Sequence, residues 1–190
     1  MPNPMLRRVP RDEMTERMRA EYDAAEALRD DATLNAVGAN APELMQWYKD
    51  EFYGKLFYGG RVPTRLKELL RYRLSMAHGC AYCNKGNSAA ALRSGVTPEQ
   101  LRAILDEDAP CFDARERAVL GLADQIAMTN MHGHLDASLY AALKPFFDDA
   151  QIFELGMVAG ILTGMAKFLF VYDLVEKEAH CPVVQLDPAA

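Results

Sequence analysis

The stretch that decides the fold is PTRLKELLRYRLSMAHGCAYCNKGNSAAALR, residues 63–93. Gly79 divides it into two segments, each with the composition of a helix. The apolar residues of the first segment recur at helical spacing: Leu66, Leu69, Leu70, Leu74 and Ala77. We therefore predict a helix over 63–78, a turn at Gly79 and a second helix over about 80–93, with the two helices packed as an antiparallel hairpin.

Polar side chains and a cysteine follow one side of this predicted hairpin. On antiparallel helices, residues equally far from the turn face each other, so Cys83 lies near Ser75 and Asn87 lies near Tyr72. Glu68 precedes Tyr72 by four positions and shares its helix face. These side chains are predicted to form a polar channel that leads to the thiol of Cys83.

Cys80 and Cys83 stand three positions apart at the predicted start of the second helix. Unpaired backbone N–H groups at a helix N-terminus favour a thiolate, and this spacing lets one cysteine close a disulfide after the other is oxidised. In a reducing compartment, such a pair indicates redox chemistry before it indicates a structural disulfide. Two small buried residues and half of a zinc site remain the alternatives.

A zinc site is the weaker of these alternatives because it needs four ligands. The other candidate ligands show no second paired spacing; they are Cys111, Cys181, His132, His134 and His180. We predict no metal and no bound cofactor, and we expect Cys111 and Cys181 to be incidental.

Composition limits the possible partners and location. The chain has 190 residues, half of them hydrophobic, and a net charge of −6, which suits one globular domain and disfavours nucleic acid and anionic membranes as partners. The N-terminus has no apolar secretory core, and the most apolar stretch, residues 155–166, is too short to span a bilayer. We predict a cytoplasmic protein whose 155–166 stretch belongs to a buried core helix.

The remaining sequence also has helical periodicity, so the fold class is predicted to be all-α. Capping boxes at Thr97–Gln100 and Asp113–Glu116 open two helices, and Asp136 opens another. Further helices are predicted over 11–30, 42–57 and 148–178. We expect a single domain over 1–190, with peripheral helices over 1–40, a core over 42–178 and an irregular tail over 179–190.

A glutamate twelve positions before a Cys-x-x-Cys on a helical hairpin resembles the alkylhydroperoxidase D and carboxymuconolactone decarboxylase superfamily. Glu68, Cys80 and Cys83 match this redox motif. The resemblance extends over roughly 42–175 and includes four stretches: RLKELLRYRLSMAHGCAYC, SGVTPEQL, ERAVLGLADQIA and DAQIFELGMVAGILTGMAKF.

The resemblance implies an all-helical homo-oligomer, a trimer or hexamer with a dimer also open, and a peroxidase that reduces hydroperoxides. It implies that Cys83 attacks the peroxide, Cys80 resolves the product and Glu68 relays protons, with an external thiol or dithiol as reductant. The family places a histidine four residues after the second cysteine, where this chain has Asn87. An amide cannot accept and return a proton near neutral pH, so this departure leaves the base unassigned.

Two further side chains are candidates for a supporting role. His78 is the nearest substitute base, and as a cation it would stabilise a thiolate; the alternative is a solvated turn residue. Tyr72 can donate a hydrogen bond, but an unperturbed phenol is a poor base. Glu68 itself has an alternative reading, a surface carboxylate paired with Arg71 or Arg65.

Three functions remain open at this point. The first is a peroxidase-like oxidoreductase. The second is a non-redox decarboxylase or lactone-processing enzyme of the same superfamily. The third is a non-catalytic scaffold or redox sensor.

Overall fold

The computed structural model describes residues 1–106, 108–179 and 181. Within this part of the chain there are helices and no strands, which confirms the predicted all-α class. Most of the predicted tail over 179–190, including His180, lies outside the described residues. The helices are α1 (Glu16–Arg29), α2 (Thr33–Gly38), α3 (Pro42–Trp47), α4 (Thr64–His78), α5 (Ala81–Arg93), α6 (Pro98–Arg102), α7 (Ala114–Ile126), α8 (Ala137–Leu143) and α9 (Asp149–Val171).

Local capping sets several of these boundaries. Thr97 and Asp113 are the N-caps of the two predicted capping boxes. In each box, the N-cap side chain accepts from the backbone N–H three residues later, and the side chain of that later residue accepts from the N-cap N–H. Asp148 opens α9 with a box of the same kind, completed by Gln151. These helix starts follow from short-range hydrogen bonds, so the sequence alone is sufficient to locate them.

Helix α4 is the centre of the fold and packs against α5, α7 and α9. Its Leu69 and Leu70 are fully buried, as are Val119 of α7 and Leu155 of α9. Burial of each such side chain stabilises the folded state by about 1.5–3 kcal/mol. These residues belong to the main hydrophobic core. Functional groups carried by α4 are consequently held on a rigid element.

The turn between α4 and α5 has the predicted hairpin geometry. Gly79 has φ +69°, and a Cβ there would lie 2.6 Å from the Cα of Cys181, so both conformation and space require glycine. The Gly79 carbonyl accepts from the Glu178 N–H (2.8 Å), and the Tyr82 N–H donates to the Glu176 carbonyl (3.2 Å). The segment after α9 therefore covers this turn.

Four elements differ from the sequence prediction. The helix predicted over 11–30 begins at Glu16, after a separate 3-10 turn over Arg11–Glu13. Helix α9 ends at Val171 rather than near 178, and Asp173 adopts a left-handed φ of 52° shortly after that end. Helix α2 was not predicted, because it has no side-chain cap and its Ala36 and Val37 are fixed by packing. The predicted helix over 42–57 changes at Tyr48 into a π-helix, Tyr48–Phe57.

The N-terminal region packs onto the same chain. Helix α1 contacts α2 and α5. Val9 and Met14 join Ala36 in a small hydrophobic cluster beside the main core. The predicted association of copies of this chain stays a prediction.

Helix α9 has two different faces. Leu155, Val158 and Ala159 are fully buried, as predicted, whereas Phe153 is 71% exposed and Met157 is also exposed. Among the described residues, α9 is the single helix long and apolar enough to cross a membrane, and core helices of soluble proteins meet the same criterion. The cytoplasmic location stays a prediction.

Candidate active site

A cavity of about 450 Å³ lies against the cysteine pair. Side chains from α1, α2, α3 and its π-helical continuation, α4, α5 and α9 form its walls. The functional groups in its lining are Cys80, Cys83, His78, Asn87, Arg29, Arg71, Tyr48, Tyr53, Tyr58 and Tyr82. Four of the six predicted site residues therefore share one cavity.

Cys80 and Cys83 are joined by a disulfide, with their Cα atoms 5.2 Å apart. Cys80 is the N-cap of α5 and is fully buried, whereas Cys83 is partly exposed. The Cys83 N–H donates to the Cys80 Sγ (3.2 Å). This arrangement gives a substrate access to Cys83, and it places the Cys80 sulfur where a helix N-terminus stabilises negative charge.

Glu68 lies one layer behind the cavity surface and is 1% exposed. Its carboxylate accepts a hydrogen bond of 2.5 Å from Arg71 Nη2. Burial raises the pKa of Glu68 by more than the positive charge of Arg71 lowers it. Glu68 is therefore not the surface carboxylate of the alternative reading; Arg65, the other suggested partner, pairs with Glu116.

Arg71 is a site residue that sequence reasoning missed. Its guanidinium lies over the ring of Phe57 (4.9 Å) and near that of Tyr53 (5.6 Å), and it lines the cavity. Its Nε is buried without a hydrogen-bond partner among the described residues. Arg71 follows Glu68 by three positions, and from the sequence this spacing was interpreted as a surface ion pair.

Three phenols reach the cavity from one helix. Tyr48, Tyr53 and Tyr58 are five residues apart, and the Tyr58 N–H bonds to the Tyr53 carbonyl (2.8 Å) in the π-helical pattern. In an α-helix, residues five apart point about 140° away from each other, so the π-helix is what gathers these rings. Burial raises the pKa of Tyr48 and Tyr58, and both phenols remain hydrogen-bond donors at neutral pH.

His78 does not supply the positive charge that was considered for it. It is 1% exposed, burial lowers its pKa to about 4, and its Nε2 accepts the Met128 N–H (3.1 Å). The imidazole is neutral at physiological pH and its acceptor nitrogen is occupied. It is also not a solvated turn residue, because it is packed beneath the hairpin turn.

The two remaining predicted side chains are separated. Asn87 is buried and lines the cavity. Tyr72 is half-buried and lies outside the cavity lining, and burial raises its pKa. The polar channel predicted from the sequence is therefore formed only in part: Asn87 and Cys83 line the cavity, Glu68 is buried beside Arg71, and Tyr72 lies apart.

Metal chemistry has no obvious location in the described part of the chain. There, no group of three or more His, Cys, Asp or Glu side chains is arranged to hold an ion. His132 and His134 are exposed.

Comparisons with solved structures place this architecture among known folds. An alkylhydroperoxidase-core, peroxidase-related protein from Ralstonia eutropha superimposes with a TM-score of 0.72 at 12% identity, covering 94% of both chains. A peroxidase-related protein from Silicibacter sp. gives 0.70 at 19%, again with 94% of both chains covered. The debrominase Bmp8, solved with a tribromopyrrole, gives 0.72 at 19% and covers 93% of both chains.

The family comparison agrees with this fold. No curated protein sequence matches the chain significantly. Residues 42–125, which run from α3 to the end of α7 and include the cysteine hairpin, match the carboxymuconolactone decarboxylase family. The chain thus resembles the carboxymuconolactone decarboxylase family over residues 42–125, and it shares its fold with alkylhydroperoxidase-core proteins.

Proposed function

We propose that this protein is a thiol-dependent peroxidase that reduces organic hydroperoxides. The observation that carries the proposal is the Cys80–Cys83 pair at the N-terminus of α5, with one accessible sulfur in a cavity backed by a buried carboxylate. A redox sensor has no need of a cavity with tyrosines and an arginine beside its cysteines.

The proposed cycle begins with both cysteines reduced. The Cys83 thiolate attacks the outer peroxide oxygen, the O–O bond breaks, and one proton converts the leaving alkoxide to an alcohol, leaving Cys83 as a sulfenic acid. The Cys80 thiol then attacks the Cys83 sulfur and expels water, forming the disulfide that the structure contains. An external dithiol reduces this disulfide and becomes oxidised itself.

Proton transfer needs its own account, because this chain has Asn87 where the resembled family has a histidine. Glu68 is the proposed proton carrier, because burial raises its pKa towards neutrality and allows it to accept and return a proton more readily than an ordinary carboxylate. The Tyr58 phenol lines the cavity together with Cys83 and is the proposed proton donor to the leaving oxygen. Asn87 orients substrate or water by hydrogen bonding.

The test is peroxide consumption with excess dithiol. We expect Cys83→Ser to abolish thiol-dependent turnover, and Cys80→Ser to allow one round of oxidation with over-oxidation at Cys83. Cys111→Ser is the matched control, since Cys111 is a half-buried free cysteine outside the cavity. Equal turnover by the wild type and Cys83→Ser would reject the proposal.

A second candidate uses the same thiols on a carbon–halogen bond. The aromatic lining of the cavity and the fold shared with a debrominase favour it. Here Cys83 would take the halogen as a sulfenyl halide while the aromatic carbon gains a proton, and Cys80 would expel halide as the disulfide closes. Halide release from a bromopyrrole, measured beside peroxide loss, separates the two candidates. Turnover that survives alkylation of both thiols would instead support a non-redox decarboxylase or lactone-processing enzyme.

A further inference from the structure

We propose that the cavity recognises substrates bearing a carboxylate, and that Arg29 of α1 binds this group beside Cys83. The proposal names the substrate class of the site described above, so its use in catalysis rests on the proposed peroxidase function. The carboxylate preference itself can be measured without any hydroperoxide.

Arg29 lies against the face of α5 that carries the accessible cysteine. Its guanidinium sits 4.7 Å from the centre of the Tyr82 ring. A Cβ added at Gly86 would lie 2.1 Å from Arg29 Nη2, so the missing side chain leaves the space that this guanidinium fills. Gly86 follows Cys83 by three positions and therefore shares its helix face, which places the positive charge next to the reactive sulfur.

Arg29 has no anionic partner in the described part of the chain. It takes part in no salt bridge there, and its Nε is buried without a hydrogen-bond partner. Two nearby carboxylates each use one oxygen for a backbone N–H: Glu26 Oε1 accepts from the Ala32 N–H and Asp31 Oδ1 accepts from the Thr33 N–H. Asp31 Oδ2 is buried without a hydrogen-bond partner among the described residues, and no salt bridge joins Asp31 to Arg29 there. A buried donor without a partner destabilises the protein, and a bound anion that accepts from it offsets this cost.

The rest of the lining has the opposite charge balance to the whole protein. Although the chain carries a net charge of −6, the cavity lining contains three cationic side chains, Arg29, Lys49 and Arg71, and one carboxylate, Glu21. Glu21 is already paired with Lys49 and Arg17. Arg71 is compensated by Glu68, so Arg29 is the cation that remains free for a ligand.

The other cavity walls fit an apolar body attached to that carboxylate. Leu34, Leu162 and Leu169 line the cavity together with the aromatic rings. An arginine fork binds a carboxylate through two parallel hydrogen bonds, whereas apolar and aromatic surface holds the remainder without strong selectivity. The expected ligand is therefore a small organic acid with an aromatic or aliphatic body.

The test compares 4-phenylbutanoate with the neutral 4-phenylbutanamide by calorimetry on the oxidised wild-type protein. We expect the carboxylate to bind at least about tenfold more tightly, as one charge-assisted hydrogen-bond pair provides. Arg29→Gln should remove this preference, Arg29→Lys should retain part of it, and the exposed Arg61→Gln should retain all of it. Arg29 is partly exposed at the end of α1, and far-UV circular dichroism of each variant verifies folding.

Several results would overturn the inference. These are equal affinity for the two probes, no binding of either probe, or a preference unchanged in Arg29→Gln. A shift in the pH dependence of Cys83 alkylation in Arg29→Gln without loss of carboxylate preference would also overturn it, because Arg29 would then act on the thiol alone. A peroxidase assay with a carboxylate-bearing hydroperoxide and its methyl ester forms a separate arm, so absence of turnover counts against the proposed function and leaves the binding result intact.

Discussion

Helix α4 carries two buried ion pairs that differ in how completely they are satisfied. Lys67 and Glu154 are joined by a 3.0 Å hydrogen bond, Glu154 also accepts from the Arg61 and Val62 N–H groups, and Lys67 also donates to the Leu56 carbonyl. Next along the chain, Glu68 accepts from Arg71 and from no backbone N–H among the described residues, and the Arg71 Nε has no hydrogen-bond partner there. One pair ties the π-helix, α4 and α9 together, and the other borders the cysteine cavity.

The same difference governs their pKa values. Burial alone would raise the pKa of Glu154, but the hydrogen bonds from Val62, Arg61 and Lys67 lower it below its ordinary value. For Glu68, burial is the dominant effect and the pKa is raised. Complete hydrogen bonding thus produces a fixed charge, and incomplete hydrogen bonding produces a group that exchanges protons.

The largest expected effect is on stability at the satisfied pair. Lys67→Met leaves the Glu154 charge buried without its cation, so we expect the free energy of unfolding to fall by about 3 kcal/mol or more. Chemical denaturation measures this change, and turnover per folded molecule should be unaffected. The double variant Lys67→Met/Glu154→Leu should recover most of the loss, and a single variant as stable as the wild type would contradict the structural role of the pair.

His78, another buried titratable group on α4, makes the stability of the fold depend on pH. The pKa of His78 is lowered to about 4 against 6.5 in the unfolded chain, so the unfolded state binds the proton more readily between these values. The resulting stability is complete above pH 6.5 and is lost as pH falls towards 4, to a total of about 3 kcal/mol. Between these pH values, the free energy of unfolding measured by chemical denaturation should rise with pH more steeply for the wild type than for His78→Gln. The same pH dependence in both proteins would exclude this contribution.

The unsatisfied pair should respond in rate more than in stability. Glu68→Gln removes the proposed proton carrier, and we expect turnover to fall on the order of 10²-fold, while the free energy of unfolding changes by about 1 kcal/mol because Arg71 borders the cavity. The wild-type pH profile should also contain an ionisation above the ordinary carboxylate range that Glu68→Gln lacks. A large loss of stability with unchanged turnover would make the two pairs equivalent.

The smallest expected effect comes from restoring a base on the facing helix. Asn87→His places an imidazole in the cavity at the position where the resembled family has a histidine, and we expect turnover to rise by about tenfold near pH 7. Asn87→Gln, which keeps the amide, is the control and should give no increase. If neither variant changes the rate, Glu68 already meets the need for a base.

Short-range rules were sufficient to predict much of the fold and part of the site. Capping boxes at Thr97 and Asp113, the turn at Gly79 and the pairing distance of Cys80 and Cys83 all depend on residues within four positions of each other. Each is therefore visible in the sequence, and each is present in the structure.

The missed features depend on long-range packing or on an unusual helix. Tyr48, Tyr53 and Tyr58 share a cavity wall because the helix changes to the π form, and no local sequence pattern predicts this change. Arg29 is more than fifty positions from Cys83 in sequence, so its position beside α5 could not be inferred from spacing. The burial that makes His78 neutral likewise comes from Met128 and the segment after α9.

The segment that covers the α4–α5 turn has a consequence for labelling chemistry. Leu174, Val175 and Cys181 pack around Cys80, whereas Cys83 opens to the cavity. After reduction, a bulky maleimide therefore reaches one sulfur of the pair and spares the other. With the half-buried Cys111 replaced by serine, a fluorophore or cross-linker can be attached at position 83 with the neighbouring cysteine left in place, which gives a reporter inside the cavity.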